Sequence, residues 1–139
     1  MATFLDSGLY FGLITKKDVH HLDAERLLRE YAEGKHGMLY TSNFILNEAM
    51  SLITFRIGLR SDLLEKMKSF FIGPRKIAIM IDIPMEWLDE IATLQVKLCR
   101  DGTEASFTDC SSIIACQKQE IGKIVSFDGH FEGFLEQLR

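Results

Sequence analysis

The sequence predicts an α/β fold in three layers, α/β/α, around a central, mostly parallel sheet of four or five strands. Three observations carry this. Short apolar runs recur at Thr3 to Leu5, Met38 to Tyr40, Ile77 to Ile83 and Lys123 to Ser126, with helical segments between successive runs. The first and last runs each lead into an aspartate, Asp6 and Asp128. No repeat, low-complexity tract or interdomain linker interrupts the pattern, so residues 1–139 read as one domain.

Taken in order, Thr3-Phe4-Leu5 is a strand that ends in Asp6-Ser7-Gly8, an acid and a turn. Leu9 to Ile14 suits a short helix and Lys16-Lys17-Asp18 a connection. His21 to Tyr31 places Leu22, Leu27, Leu28 and Tyr31 on an amphipathic helix, closed by Gly34 to Gly37. After the second strand, Thr41-Ser42-Asn43 supplies helix-capping side chains. In the next helix, from about Phe44 to Arg56, Phe44, Glu48, Leu52 and Phe55 share one face. Glu48 is thus an acid inside an apolar stripe, costly to bury unless something pairs with it.

A helix from about Ser61 to Phe71 ends at Gly73-Pro74, and Ile77 to Ile83 is the most strand-like run. Pro84 opens a helix through Leu98, stopped by Asp101-Gly102. Ser106 starts another, whose Asp109 sits in the first turn, where the helix dipole favours a carboxylate. Ile113 and Cys116 continue that face, and Gly122 is the expected stop. Ile124-Val125 is a brief buried strand, and Phe131 to Leu138 reads as a last amphipathic turn or two.

Right-handed crossovers carry the chain outward from the first strand and then require a reversal. The predicted order is 3-2-1-4, with a possible fifth strand. Asp6 and Asp128 then meet at the switch point, at C-terminal strand ends where open α/β sheets bind ligands. Glu48 and Asp109 begin helices whose N-termini point to the same rim, so four carboxylates converge.

Hydrophobic residues make up 47% of the chain and only two residues are proline, which excludes a disordered segment. No apolar run approaches the roughly 18 residues of a membrane span. Three cysteines, with no C-x-x-C pair, read as reduced thiols and a cytoplasmic location. A net charge of -4 excludes a grip on nucleic acid by bulk electrostatics, though not a local site acting on it.

Four spaced motifs then carry a family resemblance: Phe4-Leu5-Asp6-Ser7; Thr41-Ser42-Asn43-Phe44-Ile45-Leu46-Asn47-Glu48; Ser106-Phe107-Thr108-Asp109; and Ser126-Phe127-Asp128-Gly129-His130-Phe131. Asp18, His20, His21 and Ala24 add a fifth likeness. The chain resembles the PIN-domain family, most closely the small VapC-like toxins of prokaryotic toxin–antitoxin pairs. The resemblance implies a ribonuclease whose Asp6, Glu48, Asp109 and Asp128 hold Mg²⁺ or Mn²⁺ and carry the catalysis, with Ser7 and Ser126 as auxiliary hydroxyls. It also implies an RNA substrate, an antitoxin partner and a homodimer. Serine stands where the family commonly has threonine at 7 and 126, and the final edge strand of many relatives has no evident counterpart before Arg139.

The acids make sense without the family. Four carboxylates in one cleft repel unless a cation is present, and Mg²⁺ and Mn²⁺ prefer oxygen ligands. Each acid also has a structural reading: Asp109 completes a capping box with Ser106, while Asp6 and Asp128 are loop acids. His20 and His21 read as a helix start, His130 as a loop residue near the rim, Cys110 and Cys116 as core. Lys16, Lys17, Arg56 and Arg60 read as solvated, with any that reaches the rim able to hold phosphate. A haloacid-dehalogenase-type phosphatase would need an aspartate where Gly8 stands, and a receiver module lacks support at Asp82. A PIN-like scaffold that binds RNA or protein without cutting is the non-enzyme alternative.

Overall fold

A computed structural model describes residues 1–139. Five parallel strands form one sheet in the order β3-β2-β1-β4-β5. The strands are β1 (Ala2–Leu5), β2 (Met38–Ser42), β3 (Ile79–Ile81), β4 (Lys123–Val125) and β5 (Glu136–Leu138). The helices are α1 (Ser7–Ile14), α2 (His21–Ala32), α3 (Asn43–Arg56), α4 (Ser61–Phe71), α5 (Leu88–Arg100) and α6 (Phe107–Lys118). This is the PIN-like α/β/α arrangement. Twenty-eight buried apolar residues form one contiguous cluster, in which Phe4 and Leu5 of β1 meet Ile124 and Val125 of β4. No helix is long and apolar enough to cross a membrane.

The central strand β1 is buried along Thr3, Phe4 and Leu5, as expected when helices cover both faces of a parallel sheet. Register aligns Leu5 with Val125, and the Asp6 N–H continues the ladder to the Val125 carbonyl at 3.1 Å. The chain leaves β1 toward β2 and β3, then returns through α5 and α6 to β4 on the other side. The reversal lies between β1 and β4, as the crossover argument requires.

The central helix α6 is buried from Asp109 through Cys116, two serines included. Ser111 and Ser112 satisfy their hydroxyls on the Thr108 carbonyl, at 2.6 and 3.2 Å, so burial leaves no donor orphaned. The helix ends with Glu120 in the left-handed region (φ 56°), where the Ile121 N–H reaches back to the Cys116 carbonyl at 2.8 Å. The stop expected of Gly122 is therefore made two residues earlier, by a non-glycine residue.

Several expectations are corrected. The amphipathic reading of Phe131 to Leu138 gives way to the possible fifth strand: Glu136–Leu138 pairs with Lys123–Val125, and the apolar spacing of Phe131, Phe134, Leu135 and Leu138 imitates a helix where the chain makes turns and then a strand. α1 begins at Ser7, because Asp6 caps it by accepting from the Ser7 N–H. β3 is shorter than Ile77 to Ile83: the Ile77 N–H bonds the Phe70 carbonyl at the end of α4, and the Ile83 N–H bonds Asn43 Oδ1. In α2 the buried face is Ala24, Leu27 and Tyr31, which leaves Leu22 78% exposed.

Candidate active site

Each of the four predicted acids is placed by a different element. Asp6 is the N-cap of α1, directly after β1, and is buried. Its Oδ1 accepts from the Ser7 N–H at 2.9 Å and its Oδ2 from Ser126 Oγ at 2.9 Å. Asp109 is buried in the first turn of α6, where it completes the capping box: Ser106 Oγ accepts from the Asp109 N–H and Asp109 Oδ2 from the Ser106 N–H, both at 3.0 Å. The capping-box reading of Asp109 therefore holds, and the cap engages Oδ2 of its carboxylate.

Glu48 corrects the apolar-stripe reading. The buried face of α3 is Ile45, Ala49 and Ile53, whereas Glu48, Leu52 and Arg56, four residues apart, line the cleft. Phe55, assigned to the same face as Glu48, is instead 83% exposed. Glu48 Oε1 accepts a short hydrogen bond from Ser7 Oγ. Asp128 follows β4, and its N–H donates to Ser126 Oγ at 3.1 Å. Ser126 thus donates to Asp6 and accepts from Asp128, so both predicted serines contact the acids.

All four carboxylates line one cleft of about 430 Å³ at the β1–β4 switch point. Burial, then the charges of Glu48 and Asp109, push the Asp6 carboxyl up to about 7 against its hydrogen bonds from Ser126 and Ser7. Burial also raises Glu48, joined by Asp109 and Asp128 and opposed by the Ser7 hydrogen bond and Arg56. Of the four basic residues considered, Arg56 alone lines the cleft, its guanidinium 5.3 Å from the centroid of Phe11, while Arg60 is tied to Asp62.

His130 does more than the rim reading gave it. Its Nδ1 lies 2.8 Å from Asp109 Oδ2 and 3.0 Å from Asp128 Oδ1, bridging two acids from different elements. Burial pulls the imidazole down, but the Asp109 hydrogen bond and the nearby acid charges outweigh it and raise its pKa overall. Asp109, Asp128 and His130 bring ligand atoms within 4.8 Å of one another. The donor set, carboxylate oxygens beside an imidazole, fits a divalent cation. Gln137 of β5 was also missed; its Nε2 donates to the Ser126 carbonyl at 2.6 Å and to the Asp128 carbonyl, fastening the loop that bears Asp128. The Asp128-x-His130 spacing was a legible signal, but nothing local singles out Gln137.

No protein-family model matches the chain. The parallel sheet in the order β3-β2-β1-β4-β5, with acids at its switch point, is a PIN-like architecture. Among curated proteins, a VapC ribonuclease of Archaeoglobus fulgidus is 28% identical over 131 residues, covering 94% of this chain and 80% of that protein. Among solved structures, Mycobacterium tuberculosis VapC20, described as a sarcin-ricin loop cleaving toxin, superposes with a TM-score of 0.80 at 24% identity, covering 96% of this chain and 97% of that one. VapBC2 of Rickettsia felis, solved bound to a DNA fragment from its promoter, gives 0.68 at 14% identity over 99% and 98%. The chain thus has the fold of the VapC toxins among solved structures and is similar in sequence to a VapC ribonuclease.

Proposed function

We propose that this chain is a metal-dependent endoribonuclease that hydrolyses RNA phosphodiester bonds, and the toxin of a VapBC-type pair. One observation carries it: Asp6, Glu48, Asp109 and Asp128 come from four separate elements to line a single cleft. These four would hold Mg²⁺ or Mn²⁺. When bound, such an ion supplies an acidified water and neutralises charge developing on the phosphate.

The chain's own side chains do the positioning. Ser126 fixes Asp6 Oδ2, and Ser7 orients Glu48. His130 holds Asp109 and Asp128 in register. Asp6 must shed a proton to act as a ligand, so ion affinity rises with pH through about 7. Arg56, the cleft's free guanidinium, takes a phosphate flanking the one that is cut.

The partner reading extends this. Val19, Leu22, Phe55 and Leu59 are large apolar side chains left exposed at the start of α2 and around the end of α3, which supports contact with an antitoxin or a second copy. An antitoxin arginine would match the cleft carboxylates through a bidentate fork. Three free thiols fit a cytoplasmic location.

The deciding experiment incubates purified protein with end-labelled RNA and Mg²⁺ or Mn²⁺. The expected outcome is discrete cleavage that EDTA abolishes and Asp6→Asn removes. Cleavage at full rate in excess EDTA overturns the metal mechanism. Sedimentation at tens of micromolar checks the homodimer, and recovery of a small co-purifying protein from the native host checks the antitoxin.

A further inference from the structure

The cleft that holds the acids is also lined by His20 and Phe127, two rings the metal chemistry does not use. They stack face to face, with centroids 4.2 Å apart and planes 4° from parallel. Both side chains are half-buried, so neither ring is sealed from solvent. They come from distant segments. Phe127 lies between Ser126 and Asp128, and its ring edge covers Gly8, where a Cβ would come 3.4 Å from Cδ2. His20 precedes α2.

The His20 backbone is fixed at both ends. Its N–H donates to Asp18 Oδ1 at 2.8 Å, and its carbonyl accepts from the Ala24 N–H at 2.8 Å. Its imidazole, in contrast, makes no hydrogen bond, whereas the neighbouring His21 ring bonds the Gly12 carbonyl and pairs with Glu25. A histidine whose main chain is held and whose ring only stacks is placed for its π-surface. Phe127 is one residue from Asp128, so anything stacked on the pair lies within a nucleotide's reach of the acids.

We propose that His20 and Phe127 form a stacking site for one unpaired nucleobase, next to the phosphate held at the acids. Bases stack on aromatic side chains with little regard to identity, because every base has a π-face. A base inside a duplex has both faces covered by its neighbours, so only an unpaired base can add to this stack. The inference rests on the ribonuclease reading for its ligand. The bland alternative, that the stack only ties the α1–α2 connection to the loop after β4, predicts an effect on stability and none on base preference.

The test measures fluorescence anisotropy with the full chain in Ca²⁺, using a short 2′-O-methyl oligouridylate and an abasic strand of equal length and charge. The wild type should bind the base-bearing strand about tenfold more tightly. His20→Ala should reduce that preference toward unity while leaving the abasic affinity unchanged, and His20→Phe should restore it. Phe127→Leu should act as His20→Ala does; if it fails to fold, the His20 pair decides alone. Equal affinity of the wild type for both strands, no binding of either, or a preference that survives His20→Ala overturns the stacking site. RNA cleavage by the wild type is scored separately. A protein that cuts RNA without base preference loses only this inference, and one that stacks bases without cutting loses only the ribonuclease reading.

Discussion

Ser126 Oγ donates to Asp6 Oδ2 at 2.9 Å, joining side chains 120 residues apart at the ends of the neighbouring strands β1 and β4. Ser126 is fully buried and its oxygen also accepts the Asp128 N–H, so one hydroxyl ties together two acids of the cleft. Ser126→Ala removes both bonds and leaves a buried carboxylate with one donor fewer. The expected cost is about 1–3 kcal/mol of stability, larger at pH 8, where Asp6 is charged, than at pH 5. Thermal melts at the two pH values check it; an equal loss at both would mean that the hydroxyl does not serve the charged form.

Without added metal, the protein should lose stability as pH rises. Asp6 titrates at about 7 in the native chain against an ordinary 3.8, so between those values the native state binds more protons than the unfolded one. Its contribution is complete below 3.8 and disappears as pH passes about 7. The raised Glu48 and the raised His130 act in the same direction. The melting temperature should fall by several degrees from pH 5 to pH 8, and Asp6→Asn should flatten the slope. A slope unchanged in Asp6→Asn would place the proton elsewhere.

Mn²⁺ or Mg²⁺ should reverse that loss. An ion that binds only the native state at a hundred times its Kd adds about 2.7 kcal/mol. Asp128→Asn, relieved of one repelling charge, should match or exceed the wild type without metal and respond weakly to it. Asp109→Asn should lose the response and also weaken the capping box with Ser106, by roughly 1 kcal/mol. An intact metal response in Asp109→Asn would reduce that residue to a cap.

Cleavage should depend on all four acids together. Asp6→Asn, Glu48→Gln, Asp109→Asn and Asp128→Asn should each lower kcat at least about a hundredfold, because a lost ligand removes charge stabilisation needed only in the transition state. Single-turnover rates at saturating Mn²⁺ separate this from weaker ion binding.

Arg56→Ala should act differently. Its guanidinium lines the cleft without touching the acids through a salt bridge, so KM should rise with kcat little changed. The dependence of log affinity on log salt should drop by about one phosphate contact. A fall in kcat with unchanged salt dependence would instead give Arg56 a role at the cut phosphate.

What the sequence determined by itself is the material of the fold: which runs are apolar, where helices start, and the crossover logic that sets β1 beside β4. Asp6 and Asp128 were legible as neighbours because each closes a buried strand, and Asp109 because the Ser106 box marks a helix start. Only the tertiary structure decided the rest. β5 has three residues, Glu136-Gln137-Leu138, too few for a period and poor in β-formers, so only pairing with β4 makes it a strand. Glu48 looked like a buried anomaly because periodicity identifies a shared face without saying what the face meets, and here it meets the cleft. The Asp128-x-His130 spacing is local, but His130 against Asp109, Gln137 beneath the Asp128 loop and the His20–Phe127 stack are contacts across 9 to 107 residues of chain, and no local pattern encodes them. Long-range contacts of that kind depend on where the sheet register and helix packing deliver each backbone, which is why the convergence of the four acids could be anticipated and its supporting geometry could not.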